Sequence, residues 1–171
     1  MKQRTKNTKQ NEWIIDGSVA IGVTSSGEMF EIDIVDLNMV KDFCWRIHAR
    51  GYVVANAKSG TNKIISLHRH ILDADDGVII DHKDRNKLNN KRSNLRIATK
   101  SQNNSNINMR SDNTSGFTGV KRAKSGKWVA QITHNKVRLH LGTFDKICDA
   151  IDARISAEIK YHGEFRRTLH D

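Results

Sequence analysis

Two adjacent residues, Asp81 and His82, stand where an apolar run ends and a basic, amide-rich loop begins, in the segment VIIDHKDRNKLNNKRSNLR. A histidine can take a proton from water near neutral pH, and a divalent cation held by a carboxylate can absorb charge on a phosphate. Neighbours on a strand point to opposite faces, so the two side chains share a site only if the strand ends or bends there. The pair therefore suits metal-assisted phosphodiester hydrolysis.

Amide side chains further along the chain extend this pattern. Asn94, which opens the second apolar run, can hydrogen-bond the imidazole and fix its tautomer. Asn103, on the next predicted helix, can join Asp81 as a second hard oxygen ligand, and such a pair suits Mg²⁺ or Mn²⁺. An isolated Asp-His pair is more often a solvated turn, and asparagines mostly cap and turn. The whole order of strand, Asp-His, basic loop, strand and helix is the specific signal.

Two short apolar runs and a capping motif predict the elements that position these residues. GVIIDH and NLRIAT read as two strands, and Thr99 with Gln102 forms a capping box that starts a helix through KSQNNSNIN. Together they predict a ββα finger over residues 77–109. Upstream, residues 13–72 carry short apolar runs separated by glycines, which predict small antiparallel strands interrupted by a helical stretch at DLNMVKDFCWRI. Trp45 in that stretch is expected in the core.

The C-terminal part predicts a small sheet with one helix. FTGVKRA, KWVAQITH and KVRLHLGTF read as three strands with turns at KSGK and HNK, and DKICDAIDARISAEIKYHG reads as an amphipathic helix. Asp145 is its predicted N-cap and Gly163 its stop. The fold class predicted for the whole chain is α+β. Four residues are predicted core members without a functional role: Phe117, Ile132, Phe144 and Ala150.

Charge is unevenly distributed along the 171 residues, whose net charge of +10 implies an acidic partner. Residues 11–42 hold seven acidic side chains against one basic, whereas residues 83–138 hold fourteen Lys and Arg against two Asp. This asymmetry predicts a support region followed by a nucleic-acid surface. Two distant cysteines, without a CxxC pair, indicate reduced thiols and no zinc knuckle. No long apolar run or signal-peptide core is present, so a cytoplasmic protein is expected.

The run His68-Arg69-His70 precedes the finger. On a strand, alternation would place His68 and His70 on one face and Arg69 on the other. With His82 these imidazoles could form a zinc site, but no further spacing supports it, so no zinc is expected. His68 is instead predicted as a buried hydrogen-bonding support of the site, and Arg69 as a phosphate contact.

The layout of the finger resembles HNH (His-Me finger) homing endonucleases of the type found in phages and introns. The matching residues are His68-Arg69, Asp81-His82, Asn94-Leu95-Arg96, Thr99 and Gln102-Asn103. The resemblance implies that His82 is a general base oriented by Asn94, and that Asp81 and Asn103 bind one Mg²⁺ or Mn²⁺ ion. Members of that family often have histidine at the position of Asn103.

Residues 115–168 resemble the plant ethylene-response-factor type of DNA-binding domain, also called the apetala-two domain. SGFTGVKRAKSGKWVAQI, LHLGTF and DAIDARISAEIKYHGEF carry this resemblance. It implies a three-stranded sheet that lies in the major groove of double-stranded DNA, braced by one helix. Plant members have arginine or tryptophan at several contact positions, so their target sequence does not transfer, and Arg138 is the strongest candidate for a contact. The predicted DNA-binding residues of the whole chain are Arg69, Lys83, Arg85, Arg96, Lys121, Arg122, Lys124, Gln131, Thr133, Arg138 and His140.

These patterns predict three segments: a basic disordered arm at 1–12, a nuclease domain at 13–109 and a DNA-binding domain at 110–171. The leading hypothesis is a phage- or bacterium-encoded, site-specific endonuclease that leaves 3′-hydroxyl and 5′-phosphate ends and nicks as a monomer. The expected oligomeric state is a monomer or weak dimer, and no membrane partner is expected. The alternative is a DNA-binding regulator with an inactive finger. RNA is a weaker candidate substrate because the A-form major groove hides its bases from side chains.

Overall fold

The computed structural model describes residues 10–57, 63–106 and 113–166. The chain forms two compact units, residues 1–97 and 98–171, and mixes short helices with small sheets, which confirms the predicted α+β class. The folded part begins earlier than predicted, because Asn11 is buried and Glu12 already belongs to a strand. Residues 1–9 of the predicted arm, and the predicted domain boundary at 109/110, lie outside the described residues.

The first unit opens with a three-stranded antiparallel meander of β1 (Glu12–Asp16), β2 (Val19–Val23) and β3 (Met29–Asp33). The register pairs Gly22 with Phe30, and a side chain at Gly22 would meet the Phe30 ring at 2.3 Å. Glycine at this position therefore lets Phe30 lie flat across the sheet in the core.

A second three-stranded sheet completes the support. Helix α1 (Leu37–Val40) leads to β4 (Arg46–Ile47), β5 (Val53–Asn56) and β6 (Ile64–Ser66), in the order β4-β5-β6. The helical stretch is shorter than the twelve residues that suggested it. Trp45 is buried, as predicted, and its indole donates a hydrogen bond to the carbonyl of Val40 at 2.9 Å.

The histidine-rich run before the finger is helical, so the prediction of a strand there is wrong. Helix α2 spans Leu67–Ile71, and its two apolar ends, Leu67 and Ile71, are both buried. Their spacing of four residues matches one face of a helix, which places them together against the core. His68 and His70 consequently do not share a face.

The two predicted strands of the finger are present. β7 (Ile79–His82) and β8 (Leu95–Ala98) pair in a two-stranded sheet, and residues 83–94 form the loop between them.

The second unit begins with helix α3 (Lys100–Ser105), and the predicted capping box is confirmed. The Thr99 side chain accepts from the amide of Gln102, whose side chain accepts from the amide of Thr99. Strands β9 (Val120–Arg122), β10 (Trp128–His134) and β11 (Val137–Phe144) form the predicted antiparallel sheet, in the order β11-β10-β9. Asn135 and Lys136, which join β10 to β11, both have positive φ, as a tight two-residue hairpin turn requires.

Helix α4 (Ile147–His162) packs on one face of this sheet. Ala150 and Ile132 are buried, and Phe117 and Phe144 pack against the core, as predicted. Gly163 ends the helix as predicted. The predicted N-cap is wrong: the cap position belongs to Lys146, and Asp145 instead forms an ion pair with Lys127 at 3.0 Å.

Both cysteines are thiols, with Cys44 half-buried and Cys148 exposed. Across residues 10–57, 63–106 and 113–166, no helix is long and apolar enough to cross a bilayer.

Candidate active site and nucleic-acid face

Asp81 and His82 are the last two residues of β7, and both are buried. The strand ends there, as their joint use requires, and the next amide, of Lys83, donates to the carbonyl of Asn94 at 2.8 Å, which closes the loop. The two side chains contact different neighbours: Asp81 binds Arg96, whereas His82 contacts Asn90 and His68.

Asp81 forms a buried ion pair with Arg96 on β8. The Nε and Nη2 atoms of the guanidinium both donate to Asp81 Oδ2, at 2.8 and 2.6 Å. The side chains of Arg96 and Asp81 are only 10% and 7% exposed. The sequence suggested Arg96 as a DNA contact, but its guanidinium here neutralises a carboxylate inside the unit.

His82 is held by Asn90, which is fully buried. The Asn90 amide nitrogen donates to the carbonyl of Lys87, so its Oδ1 faces His82 Nε2 at 3.3 Å. Nε2 therefore carries the hydrogen and Nδ1 the lone pair. Burial lowers the pKa of His82, opposed by the hydrogen bond to Asn90 and by the charges of Asp84 and Asp81. The imidazole is accordingly neutral at pH 7. Sequence reasoning missed Asn90, because nothing distinguishes it from its neighbours in the polar loop.

Asn94 fastens the loop rather than the imidazole. Its Oδ1 accepts from the amide of Asp84 at 3.0 Å, and its Nδ2 donates to Asp84 Oδ1 and to the carbonyl of Asn89, each at 2.8 Å. Asp84 also accepts from the Asn89 side chain at 2.7 Å and from the amide of Asn86 at 2.8 Å. Asp84, which the sequence analysis did not single out, therefore organises the loop. The predicted orienting role of Asn94 stays a prediction.

His68 lies against the ring of His82. Its ring is 5.2 Å from that of His82 and steeply inclined to it, and 5.3 Å from the ring of Tyr52. His68 is 8% exposed, and burial, together with the charges of His82 and Arg69, lowers its pKa to about 4. Within the described residues, its Nδ1 is a buried atom without a hydrogen-bond partner. His68 is therefore buried as predicted, and its supporting role stays a prediction.

Two other predicted DNA contacts of the first unit, Arg69 and Lys83, are engaged in holding the chain. Arg69 donates to the carbonyls of Val78 at 2.6 Å and Ala74 at 3.2 Å, and also to that of Asp75, so it closes the segment between α2 and β7. Lys83 donates to the carbonyl of Ser93 at 2.7 Å across the base of the loop. Arg85 takes a positive φ within the loop. Their contacts with DNA stay predictions.

The acidic N-terminal sheet binds the basic loop. The amide of Glu31 donates to the carbonyl of Leu88, and the amide of Asn90 donates to the carbonyl of Glu31, both at 2.8 Å. Lys91 pairs with the Glu31 carboxylate at 2.6 Å. Three of the seven carboxylates in residues 11–42 thus serve one loop, since Asp33 and Asp36 bind Arg92.

Arg92 is the most heavily bonded residue of this junction. Its backbone amide donates to Asp33 Oδ2 at 2.7 Å, and its guanidinium reaches Asp36 Oδ1 at 2.7 Å and the carbonyl of Ile71 at 2.9 Å. The hydrogen bonds to Asp36 raise the pKa of Arg92 above its ordinary value. Part of the charge asymmetry of the sequence is therefore taken up by bonds between acidic and basic residues within the protein.

The two predicted metal ligands belong to different units. Asp81 supplies a carboxylate in the first unit, and Asn103 lies on α3 in the second. Hard oxygen donors of this kind fit Mg²⁺ or Mn²⁺. In the described part of the chain, no three His, Cys, Asp or Glu side chains are grouped as a metal site.

The second unit presents an exposed polar face on its sheet. The register pairs Thr133 with Arg138 and Gln131 with His140, and it aligns Lys121 with Val129. Because side chains alternate, these positions lie on the face opposite the buried Ala130 and Ile132, which pack towards α4. Five of the predicted contacts therefore share one face: Lys121, Gln131, Thr133, Arg138 and His140.

The remaining two predicted contacts of this unit lie elsewhere. Arg122 pairs with Trp128 in the register and stacks over its ring at 5.9 Å, while its Nε donates to the carbonyl of Gly126. It belongs to the alternate set of side chains, away from the polar face. Lys124 is exposed in the turn between β9 and β10.

Comparison with known proteins agrees with both resemblances. Residues 67–105 match the family described as HNH endonuclease. A stretch of 63 residues is 41% identical to the ethylene-responsive transcription factor ERN1 of Medicago truncatula, and one of 61 residues is 41% identical to ERN1 of Lotus japonicus. These stretches cover 36% and 34% of this chain but 24% and 23% of the relatives, so the chain spans about a quarter of their length.

Among solved structures, one described as DNA binding and cleavage by the HNH homing endonuclease I-HmuI is similar, with a TM-score of 0.36 and 21% identity. The similarity covers 88% of this chain and 91% of that one. The family match is confined to the segment that contains Asp81, His82, Asn94 and Asn103. The part of this chain that matches the HNH endonuclease family is the finger, residues 67–105.

Proposed function

We propose that this chain is a site-specific, divalent-metal-dependent DNA endonuclease of the homing type, in which the finger cuts and the C-terminal sheet reads. The observation that carries the proposal is the buried pair Asp81 and His82 at the end of β7. A carboxylate beside a neutral imidazole combines a metal ligand with a base in one place.

His82 is the proposed general base. Its lowered pKa keeps the imidazole neutral at pH 7. Because Nε2 donates to Asn90, the lone pair of the ring lies on Nδ1, which is the atom proposed to accept a proton from water. The Asp84–Asn94 bonds hold the loop that carries Asn90, so they fix the ring indirectly. His82 is thus the proposed catalytic base, and Asn94 is its proposed positioning residue, which acts through the loop.

Asp81 and Asn103 are the proposed ligands of one Mg²⁺ or Mn²⁺ ion. When bound, such an ion supplies positive charge that stabilises the charge developing on the phosphate. Attack of the deprotonated water on phosphorus breaks the bond to the 3′ oxygen and leaves 3′-hydroxyl and 5′-phosphate ends. One such site on a monomer cuts one strand.

The exposed face of the second unit is the proposed reader of double-stranded DNA. Lys121 and Arg138 supply phosphate affinity, and Gln131, Thr133 and His140 add hydrogen-bonding groups for base edges. Lys83 and Arg85 of the finger loop are proposed to contact the backbone near the cut.

Cleavage of genomic DNA from the organism that encodes the chain, in Mg²⁺, tests the proposal, with the cut ends mapped by sequencing. His82→Ala is expected to slow cutting at least about a hundredfold without weakening DNA binding, because loss of a general base acts on chemistry. His48→Ala, an exposed histidine on the turn between β4 and β5, is the matched control and should cut normally.

Two results would contradict the proposal. Specific binding without any cut by the wild type would favour a DNA-binding regulator with an inactive finger. Undiminished cutting by His82→Ala would remove His82 from the role of base.

A further inference from the structure

We propose that Arg96 is a positioning residue that acts as the counter-ion of Asp81 when no divalent ion is bound, so that a metal ion must compete with the guanidinium for this carboxylate. The inference rests on the proposed function, because it concerns the same site. It assigns to Arg96 a role inside the finger in place of the DNA contact suggested by the sequence.

The geometry is that of a charge-neutralising contact. Two nitrogens of one guanidinium, Nε and Nη2, converge on a single oxygen, Asp81 Oδ2, at 2.8 and 2.6 Å. Distances this short are typical of charge-assisted hydrogen bonds. The carboxylate oxygen that would bind a metal ion is therefore already bound to a positively charged group, the Arg96 guanidinium.

Burial explains why such a cation is needed. The side chains of Asp81 and Arg96 are nearly excluded from solvent. An ionised carboxylate taken out of water is costly unless it is paired. A metal-binding carboxylate in this position needs a partner in the metal-free protein, and Arg96 on the neighbouring strand supplies it.

The same burial argues against a contact between Arg96 and DNA. A guanidinium that is 10% exposed and held by a buried carboxylate cannot reach a phosphate without breaking its ion pair with Asp81. Arg138, by contrast, is exposed on the sheet face of the second unit. Arg96 therefore neutralises a carboxylate inside the first unit, whereas Arg138 is accessible to a phosphate of DNA.

The pair has a consequence for metal affinity. With Arg96 in place, an arriving divalent cation meets a carboxylate whose charge is already compensated, and it is repelled by a guanidinium within bonding distance of the same oxygen. We expect wild-type affinity for the ion to be weak without DNA. Removal of the positive charge should strengthen it.

A titration of the full chain with Mn²⁺ in the absence of DNA, followed by the electron paramagnetic resonance of the unbound ion, tests this inference. Arg96→Gln is expected to bind Mn²⁺ about tenfold more tightly than the wild type, because a buried like charge is removed. Arg96→Lys keeps the charge but loses the two-pronged contact, so its affinity should lie between the two. The double variant Asp81→Asn with Arg96→Gln is the control and should lose the gain.

Thermal unfolding gives a second measurement. In EDTA, Arg96→Gln should melt below the wild type, because the buried Asp81 loses the positive charge of Arg96. Added Mn²⁺ should raise its melting temperature more than that of the wild type, since a ligand that binds the folded state stabilises it. If Arg96→Gln is unfolded in EDTA, Mn²⁺ should restore folding.

Equal Mn²⁺ affinity in the wild type and Arg96→Gln, or weaker binding by the variant, would overturn the role of Arg96. If either result were obtained and the wild type still cut DNA, the proposed nuclease function would stand. Absence of Mn²⁺ binding by both the wild type and Arg96→Gln, together with no cutting of DNA by the wild type, would defeat both proposals.

Discussion

Two positively charged residues of the first unit and two of the second are used in opposite ways. In the first unit, Arg69 and Arg96 point their guanidinium groups at carbonyls and a buried carboxylate. In the second, Lys121 and Arg138 stand exposed on one face of a sheet. In these four residues, positive charge builds the site in the first unit and forms a surface on the sheet of the second. Arg154 of the second unit is buried instead and binds Glu158 at 2.7 Å.

Carboxylates show the same contrast. Asp36 in the first unit is buried, with 4% of its side chain exposed, and binds Arg92 at 2.7 Å. Asp145 in the second has 80% of its side chain exposed and pairs with Lys127 at 3.0 Å. Since burial decides the strength of an ion pair, only the first pair should matter for folding.

The largest expected effect follows from breaking these two pairs. Asp36→Asn should lower the free energy of unfolding of the first unit by about 2 kcal/mol, because the half-exposed Arg92 guanidinium loses its charged hydrogen bonds to a buried carboxylate. Asp145→Asn, the matched change in the second unit, should cost less than about 1 kcal/mol. Urea unfolding of both variants and the wild type measures the difference. Similar losses for the two variants would contradict the contrast between the units.

Acidification should destabilise the protein through His68, whose pKa of about 4 lies below the ordinary 6.5. The unfolded chain binds a proton near pH 6.5, whereas the folded state resists it until about pH 4. The free energy of unfolding should therefore fall as the pH drops through this window and level off below it, by roughly 1.4 kcal/mol per pH unit at most.

Urea unfolding between pH 7 and pH 4 measures this slope. His68→Gln should remove the contribution of His68 to this slope, because glutamine does not titrate. His140→Gln, a change at the exposed face of the second unit, should leave the slope in place. A slope unchanged by His68→Gln would assign it to other groups.

Local patterns were enough to predict much of the fold. The end of an apolar run correctly located the end of β7 at Asp81 and His82, and Thr99 with Gln102 correctly marked the start of α3. These features depend on neighbouring residues alone. The five-residue LHRHI run was too short to separate a helical from a strand period, so α2 was missed.

The partners of polar side chains could not be predicted in this way. The bonds of Arg96 to Asp81 and of Arg92 to Asp36 join residues 15 and 56 positions apart. Their formation depends on how strands and loops pack, which composition does not reveal. Asn90 holds His82 because packing buries it, although Asn86 and Asn89 in the same loop have the same side chain.

The smallest expected effect concerns the reading face. Arg138→Ala should weaken DNA binding by about 1–2 kcal/mol, roughly tenfold, and lower the dependence of log Kd on log salt by about one unit if it neutralises a phosphate. Arg122→Ala is the control, because Arg122 lies among the alternate side chains and stacks on Trp128. Measurement of Kd at several salt concentrations compares the two.

This comparison distinguishes DNA contact at one face of the sheet from a general effect of the net charge on DNA binding. Both substitutions remove one positive charge from the same small sheet, so a purely long-range effect of net charge would weaken binding equally in both. A larger loss for Arg138→Ala, with a reduced salt slope, would place the phosphate contact on the face that also carries Lys121 and His140. A larger loss for Arg122→Ala would instead place DNA against the side of the sheet near Trp128, and the proposed reading face would be wrong.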